Sequence, residues 1–94
     1  MKFNCHKVRD CIDGNIIYDY ALQEPVTETL IRAMGQRLGQ LEYFADFPRP
    51  FFRIQAKGWL ELKGVQGETD IEVVFPSQNT RKRKVAFEDE LLEL

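Results

Sequence analysis

The single histidine, His6, stands between Cys5 and Lys7. A thiol beside an imidazole is the raw material of a nucleophile–base pair, in which the histidine takes the thiol proton. The local pattern argues against one. The segment reads as a β-strand, where neighbouring side chains point to opposite faces, so Cys5 and His6 diverge. Cys11 differs from His6 in parity as well. Along a strand rising roughly 3.3 Å per residue, Cys5 and Cys11 would sit about 20 Å apart. A disulfide needs Cα atoms within about 7 Å, so neither an internal bridge nor a shared metal is expected. Both cysteines are expected to be free, small and buried, as suits a reducing compartment.

Carboxylates are plentiful, with 15 Asp and Glu residues. They fall mainly at turn, solvent-face and tail positions. Asp19 and Asp70 are a pair that could meet in space, though nothing in the pattern brings them together. No phosphate-binding loop, dinucleotide fingerprint, serine-nucleophile elbow, HExxH or CxxC is present. The chain is therefore expected not to be an enzyme. No cofactor, metal or small-molecule ligand is implied.

A sharper signal is the alternating run from Phe51 to Gly64. Even positions read Phe52, Ile54, Ala56, Gly58, Leu60 and Leu62, while odd positions include Arg53, Lys57, Trp59 and Lys63. Read as one long strand, this places four candidate binding residues on one face. Cations around an aromatic ring suit a phosphate backbone with a stacked base. They also suit a protein partner, since Trp and Arg are enriched at interface hot spots. The plain reading is a solvated strand face with Trp59 covered by a loop or by the C-terminal segment. A second candidate is the basic tract Arg81, Lys82, Arg83 and Lys84, followed closely by Glu88, Asp89, Glu90 and Glu93. It could contact phosphate, or simply form a solvated charge run.

The formal net charge is −2, so no broad attraction to nucleic acid or anionic lipid is expected. The chain has 94 residues, 44% of them hydrophobic, which fits one domain. No secretory signal and no membrane-spanning run is visible, and a cytoplasmic location is the expectation.

Positioning these residues takes a small α+β domain. An antiparallel sheet, in the approximate order ββαβββ, should carry one main helix on one face and leave the other wet. Asp13-Gly14 signals a two-residue hairpin turn, pairing Cys11 with Ile16, Arg9 with Tyr18, Lys7 with Tyr20 and Cys5 with Leu22. After Pro25, Val26, Leu30, Met34, Leu38 and Leu41 recur at helical spacing and predict a helix over about Val26 to Gly39. Gly39 would end it in the left-handed conformation. Residues 41–47 are read as a strand, with a last helical turn as the alternative. A turn with Gly67 as its first central residue would set Lys63 against Glu72 and Leu62 against Val73.

The core is expected to contain Ile16, Tyr18, Leu30, Met34, Leu38, Phe52, Ile54, Leu60, Leu62, Ile71, Val73 and Phe75. Residues 1–78 form the compact domain. Residues 79–94 form a charged segment, an edge strand or short helix, peripheral to it. The leading functional expectation is a non-catalytic interaction, regulatory or subunit domain, with a protein partner or homodimer favoured over nucleic acid. The alternative is an RNA- or single-stranded-DNA-binding module using the face around Trp59. A third is a small enzyme with an unrecognised carboxylate or cysteine site.

Overall fold

The long alternating run is not one strand. In the computed structural model, which describes residues 2–10 and 14–94, it folds into a hairpin of β4 (Phe51–Ala56) and β5 (Leu60–Val65). Trp59 N–H donates to Ala56 C=O at 2.9 Å, and Gly58 between them has φ +76°. A positive φ at the second central position is the mark of a type II turn, and glycine adopts it without steric cost. The register pairs Ile54 with Leu62 and Ala56 with Leu60. A loop of three residues returns the chain on the same parity. The apolar even side therefore runs unbroken through the turn, and the pattern looks like a single strand.

The remaining elements are β1 (Phe3–Asp10), β2 (Ile16–Leu22), α1 (Glu28–Leu38), β3 (Gln40–Phe44), β6 (Asp70–Phe75) and α2 (Thr80–Leu92). All six strands join one sheet in the order β1-β2-β6-β5-β4-β3, and every neighbouring pair is antiparallel. The strand expected within residues 41–47 is β3. The β5–β6 register sets Lys63 against Glu72 and Leu62 against Val73, as read from the sequence. Its turn differs: Glu68 N–H donates to Val65 C=O, so Gly67, at φ +92°, is the second central residue rather than the first.

The first hairpin also departs from expectation. Phe3 pairs with Leu22, Cys5 with Tyr20 and Lys7 with Tyr18, and a bulge between Lys7 and Arg9 shifts the register. Asp10 then pairs with Ile16, so the connection is longer than two residues. Cys11 to Asp13, on which the turn and disulfide expectations partly rest, lie outside the described residues. Cys5 is a free thiol.

Helix α1 begins later than its apolar spacing implied. Thr27 is the N-cap, its Oγ1 accepting from Leu30 N–H at 3.2 Å, a standard way to satisfy an orphan donor. Val26, just before the cap, and Ile31 in the first turn are both buried, the arrangement of a hydrophobic staple. The buried stripe is Ile31, Met34 and Leu38, with Leu30 only half-buried at its margin. Gly39 ends the helix with φ 173°, which is extended rather than left-handed. Its role is close approach, because a Cβ there would lie 2.5 Å from Gln55 O and 3.0 Å from Ala56 Cα.

The C-terminal segment is a helix and not an edge strand, and it is not peripheral. Phe87 and Leu91 of α2 are fully buried among Tyr20, Phe75 and the α1 residues. The Phe87 ring stacks edge-on against Tyr20 at 5.1 Å and Phe75 at 6.0 Å. Both helices thus cover one face, over Phe52, Ile54, Leu60, Leu62, Ile71, Val73 and Phe75. Ile16 and Tyr18, expected in the core, are only half-buried, whereas Tyr20 and Leu22 are buried. The two-residue difference in β1–β2 register accompanies that exchange.

Candidate interaction surfaces

Both helices lie on one sheet face; on the opposite face most side chains are exposed or half-buried, although Ile17 is only 6% exposed and Phe47 of the β3–β4 loop rests against Phe51. Strand pairing arranges the side chains of that opposite face in rows, because directly paired residues point the same way. The central row crosses all six strands. His6 pairs with Asp19, Asp19 with Glu72, Glu72 with Lys63, Lys63 with Arg53 and Arg53 with Glu42. Each is ionisable, and the sign pattern from β2 to β3 is two negative, two positive, one negative.

Within the row, Arg53 Nη2 donates to Glu42 Oε1 at 2.7 Å and Nε donates to the same oxygen at 3.2 Å. Lys63 Nζ lies 3.9 Å from Glu72 Oε2, and His6 Nε2 lies 3.7 Å from Asp19 Oδ2. These pairs are solvent-facing, and exposed ion pairs contribute little to stability, about 0–1 kcal/mol. Asp19 is the exception in environment. Burial raises its pKa above the ordinary value, and the charges of Asp70 and Glu72 raise it further, with His6 opposing. Asp19 and Asp70 are diagonal neighbours across the β2–β6 pairing and line one groove, so the approach left open in the sequence is part of the structure.

One corner of this face is aromatic. Phe44 and Phe51 stack at 4.6 Å between ring centroids, and Phe47 lies 5.0 Å from Phe51. Phe47 is 52% exposed and Phe51 37%. Beside them a shallow groove of about 550 Å³ is lined by Phe51, Val65, Asp19, Lys63, Asp70 and Glu72. Sequence reasoning missed this cluster. The available signal was Phe51 itself, a large apolar residue on the odd, polar parity of the long run.

The expected binding residues are divided. Arg53 and Lys63 share the open face and are already paired with acids. Lys57 and Trp59 sit in the β4–β5 turn at the end of the sheet. Trp59 is half-buried against the core, and its Nε1–H donates to Arg83 C=O at 3.4 Å. It is thus covered by the C-terminal helix and does not stand between Arg53 and Lys63.

The tract Arg81–Lys84 forms the first turn of α2 and splits in two. Arg81 and Lys82 are exposed. Arg83 Nε donates back to Gln78 C=O at 2.8 Å. Lys84 pairs with Glu88 and lies over the Tyr18 ring at 5.1 Å. Burial opposes the Lys84 charge, but Glu88, Cys5 and Tyr18 together outweigh it and raise its pKa. The Trp59–Arg83 contact brings the start of α2 beside the β4–β5 turn, where Lys57 and Trp59 line a cleft of about 480 Å³ together with Gln40, Gln55 and Glu61.

His6 and Cys5 point to opposite faces, Cys5 toward Tyr20 and the helices. Tyr20 O–H donates to Glu88 Oε2 at 2.9 Å. Burial first, then the Glu88 and Cys5 contacts, raise the phenol pKa far above its ordinary value, so it acts as a fixed donor. Among the described residues no three His, Cys, Asp or Glu side chains form a group able to hold a metal ion. Among them no helix is long and apolar enough to cross a membrane. Compared with family models, curated proteins and solved structures, the chain matches none.

Proposed function

We propose that this domain is a non-catalytic protein-interaction module, of regulatory or subunit type, whose interface is the open face of the sheet. The observation that carries the reading is the aromatic cluster of Phe44, Phe47 and Phe51, of which Phe47 and Phe51 are exposed. An antiparallel sheet can leave one face in water at no great cost when that face is polar. Three contiguous aromatic rings on it are different, since clustered exposed apolar surface marks interaction sites. A cytoplasmic setting goes with this reading and is consistent with the free Cys5 thiol.

A second reading is supported by the other end of the molecule. Lys57, Arg81, Lys82 and Arg83 make no ion pair among the described residues, and Trp59 lies among them. The acids that follow in sequence are drawn away along α2, with Glu90 and Glu93 bound to Arg37. This local positive end would suit single-stranded nucleic acid.

Titration with mixed-sequence single-stranded RNA at low salt, read by Trp59 fluorescence, separates the two. The interaction-module reading expects no saturable change. Micromolar binding that weakens steeply with salt, as released counterions require, would replace it with the nucleic-acid reading.

A further inference from the structure

We infer that the partner of the open sheet face is a second copy of this chain, stacked face to face about a two-fold axis parallel to the strands between β5 and β6. The inference rests on the interaction-module reading and names its partner. It follows from the central row. Such an axis reverses the row, so that each position meets its mirror across the β5–β6 boundary. Glu72 then faces Lys63 of the second copy, Asp19 faces Arg53, and His6 faces Glu42. Every opposition in the row joins an acid to a basic group.

The flanking rows are compatible. On one side the register gives Asn4, Ala21, Asp70, Val65, Phe51 and Phe44 from β1 to β3. Reversal sets the Phe51 ring over the small Ala21 and Phe44 over Asn4. On the other side lie Arg9, Ile17, Val74, Glu61, Gln55 and Gln40, and reversal opposes no like charges. The other in-plane axis, along the row, would stack Asp19, Glu72, Lys63, Arg53 and Glu42 each on its own copy. The charges therefore select one symmetry. Packed sheets cross at about 30°, which offsets the ends of the row and keeps its four central residues opposed.

The size of the face sets the strength. Strands about 4.8 Å apart span roughly 24 Å across six strands, and the three rows extend roughly 17 Å along them. That flat footprint, on the order of 400 Å², belongs to a small interface, at the low end of complexes whose standard size is approximately 800 Å² of accessible surface per partner. The dimer is accordingly weak, reversible and salt-sensitive, because its complementarity is ionic.

Sedimentation equilibrium of the full chain tests this through charge reversal. The wild type should show a monomer–dimer equilibrium that shifts to monomer in high salt. Lys63→Glu alone and Glu72→Lys alone each oppose like charges across the axis and should weaken self-association at least about tenfold. Mixed in equal amounts, the two variants should form a heterodimer, because each supplies what the other lacks. Recovery on mixing also shows that both variants are folded. A monomeric wild type at every concentration, unaltered association of the single variants, or a mixture that stays monomeric would each overturn the inference. None of those results bears on RNA binding, so the broader reading fails or stands separately.

Discussion

At the scale of single residues, Asp19 shows how the open face handles charge. Burial, Asp70 and Glu72 push its pKa up from 3.8, and His6 pulls the other way. A carboxyl group whose pKa is raised on folding binds its proton more tightly in the native state. Its contribution to stability is fully present below the unfolded value and is lost as pH rises through the folded one. At neutral pH the Asp19 charge therefore works against the fold. Asp19→Asn in dilute protein should raise the melting temperature at pH near 7, and the gain should disappear below about pH 4. A wild type that melts higher than the variant at neutral pH would show that the His6 contact dominates instead. Nothing in the sequence announces this shift. Asp19 and Asp70 are far apart along the chain, and only the β2–β6 pairing brings them together. Trp59 was more legible, because a large aromatic on an otherwise charged parity requires cover, and α2 provides it.

At the scale of elements, the sequence was read well where a local pattern and its partner agreed. The β5–β6 register followed from opposite charges and matching apolar positions, and Met34 and Leu38 followed from helical spacing. Three features were harder to see. The β4–β5 turn keeps parity, so alternation alone cannot distinguish one strand from two, and Gly58 was the only mark of the reversal. The cap at Thr27 was obscured by the earlier Pro25. Helix α2 was one of two alternatives, beside an edge strand, because its few apolar residues and a basic first turn that opposes the helix dipole left the choice open. Its stability comes from Phe87 and Leu91 rather than from its ends. Phe87→Ala should therefore destabilise the whole domain by about 3–5 kcal/mol, the range for emptying a buried aromatic site, measured by urea unfolding. A change below about 1 kcal/mol would restore the view of residues 79–94 as peripheral.

For the whole molecule, the topology places all the cover on one side. The N-terminal and C-terminal thirds of the chain meet at the β2–β6 pairing, both helices fall on the same face, and most of the opposite face of the six strands is left to water or to a partner. The sequence indicated a wet face, but not the row that crosses it, since that row draws one residue from each of six strands. A row read across paired strands contains information that no window of sequence contains. The central claim is that this face meets another copy of the protein. The most direct measurement is a dilution series of two-dimensional NMR spectra of the full chain. Concentration-dependent, saturable shifts should gather at Asp19, Glu72, Lys63, Arg53 and Phe51, while Met34, Phe87 and Leu91 on the helix side stay constant. Spectra that do not change with concentration, or changes confined to Lys57, Trp59 and the start of α2, would contradict it.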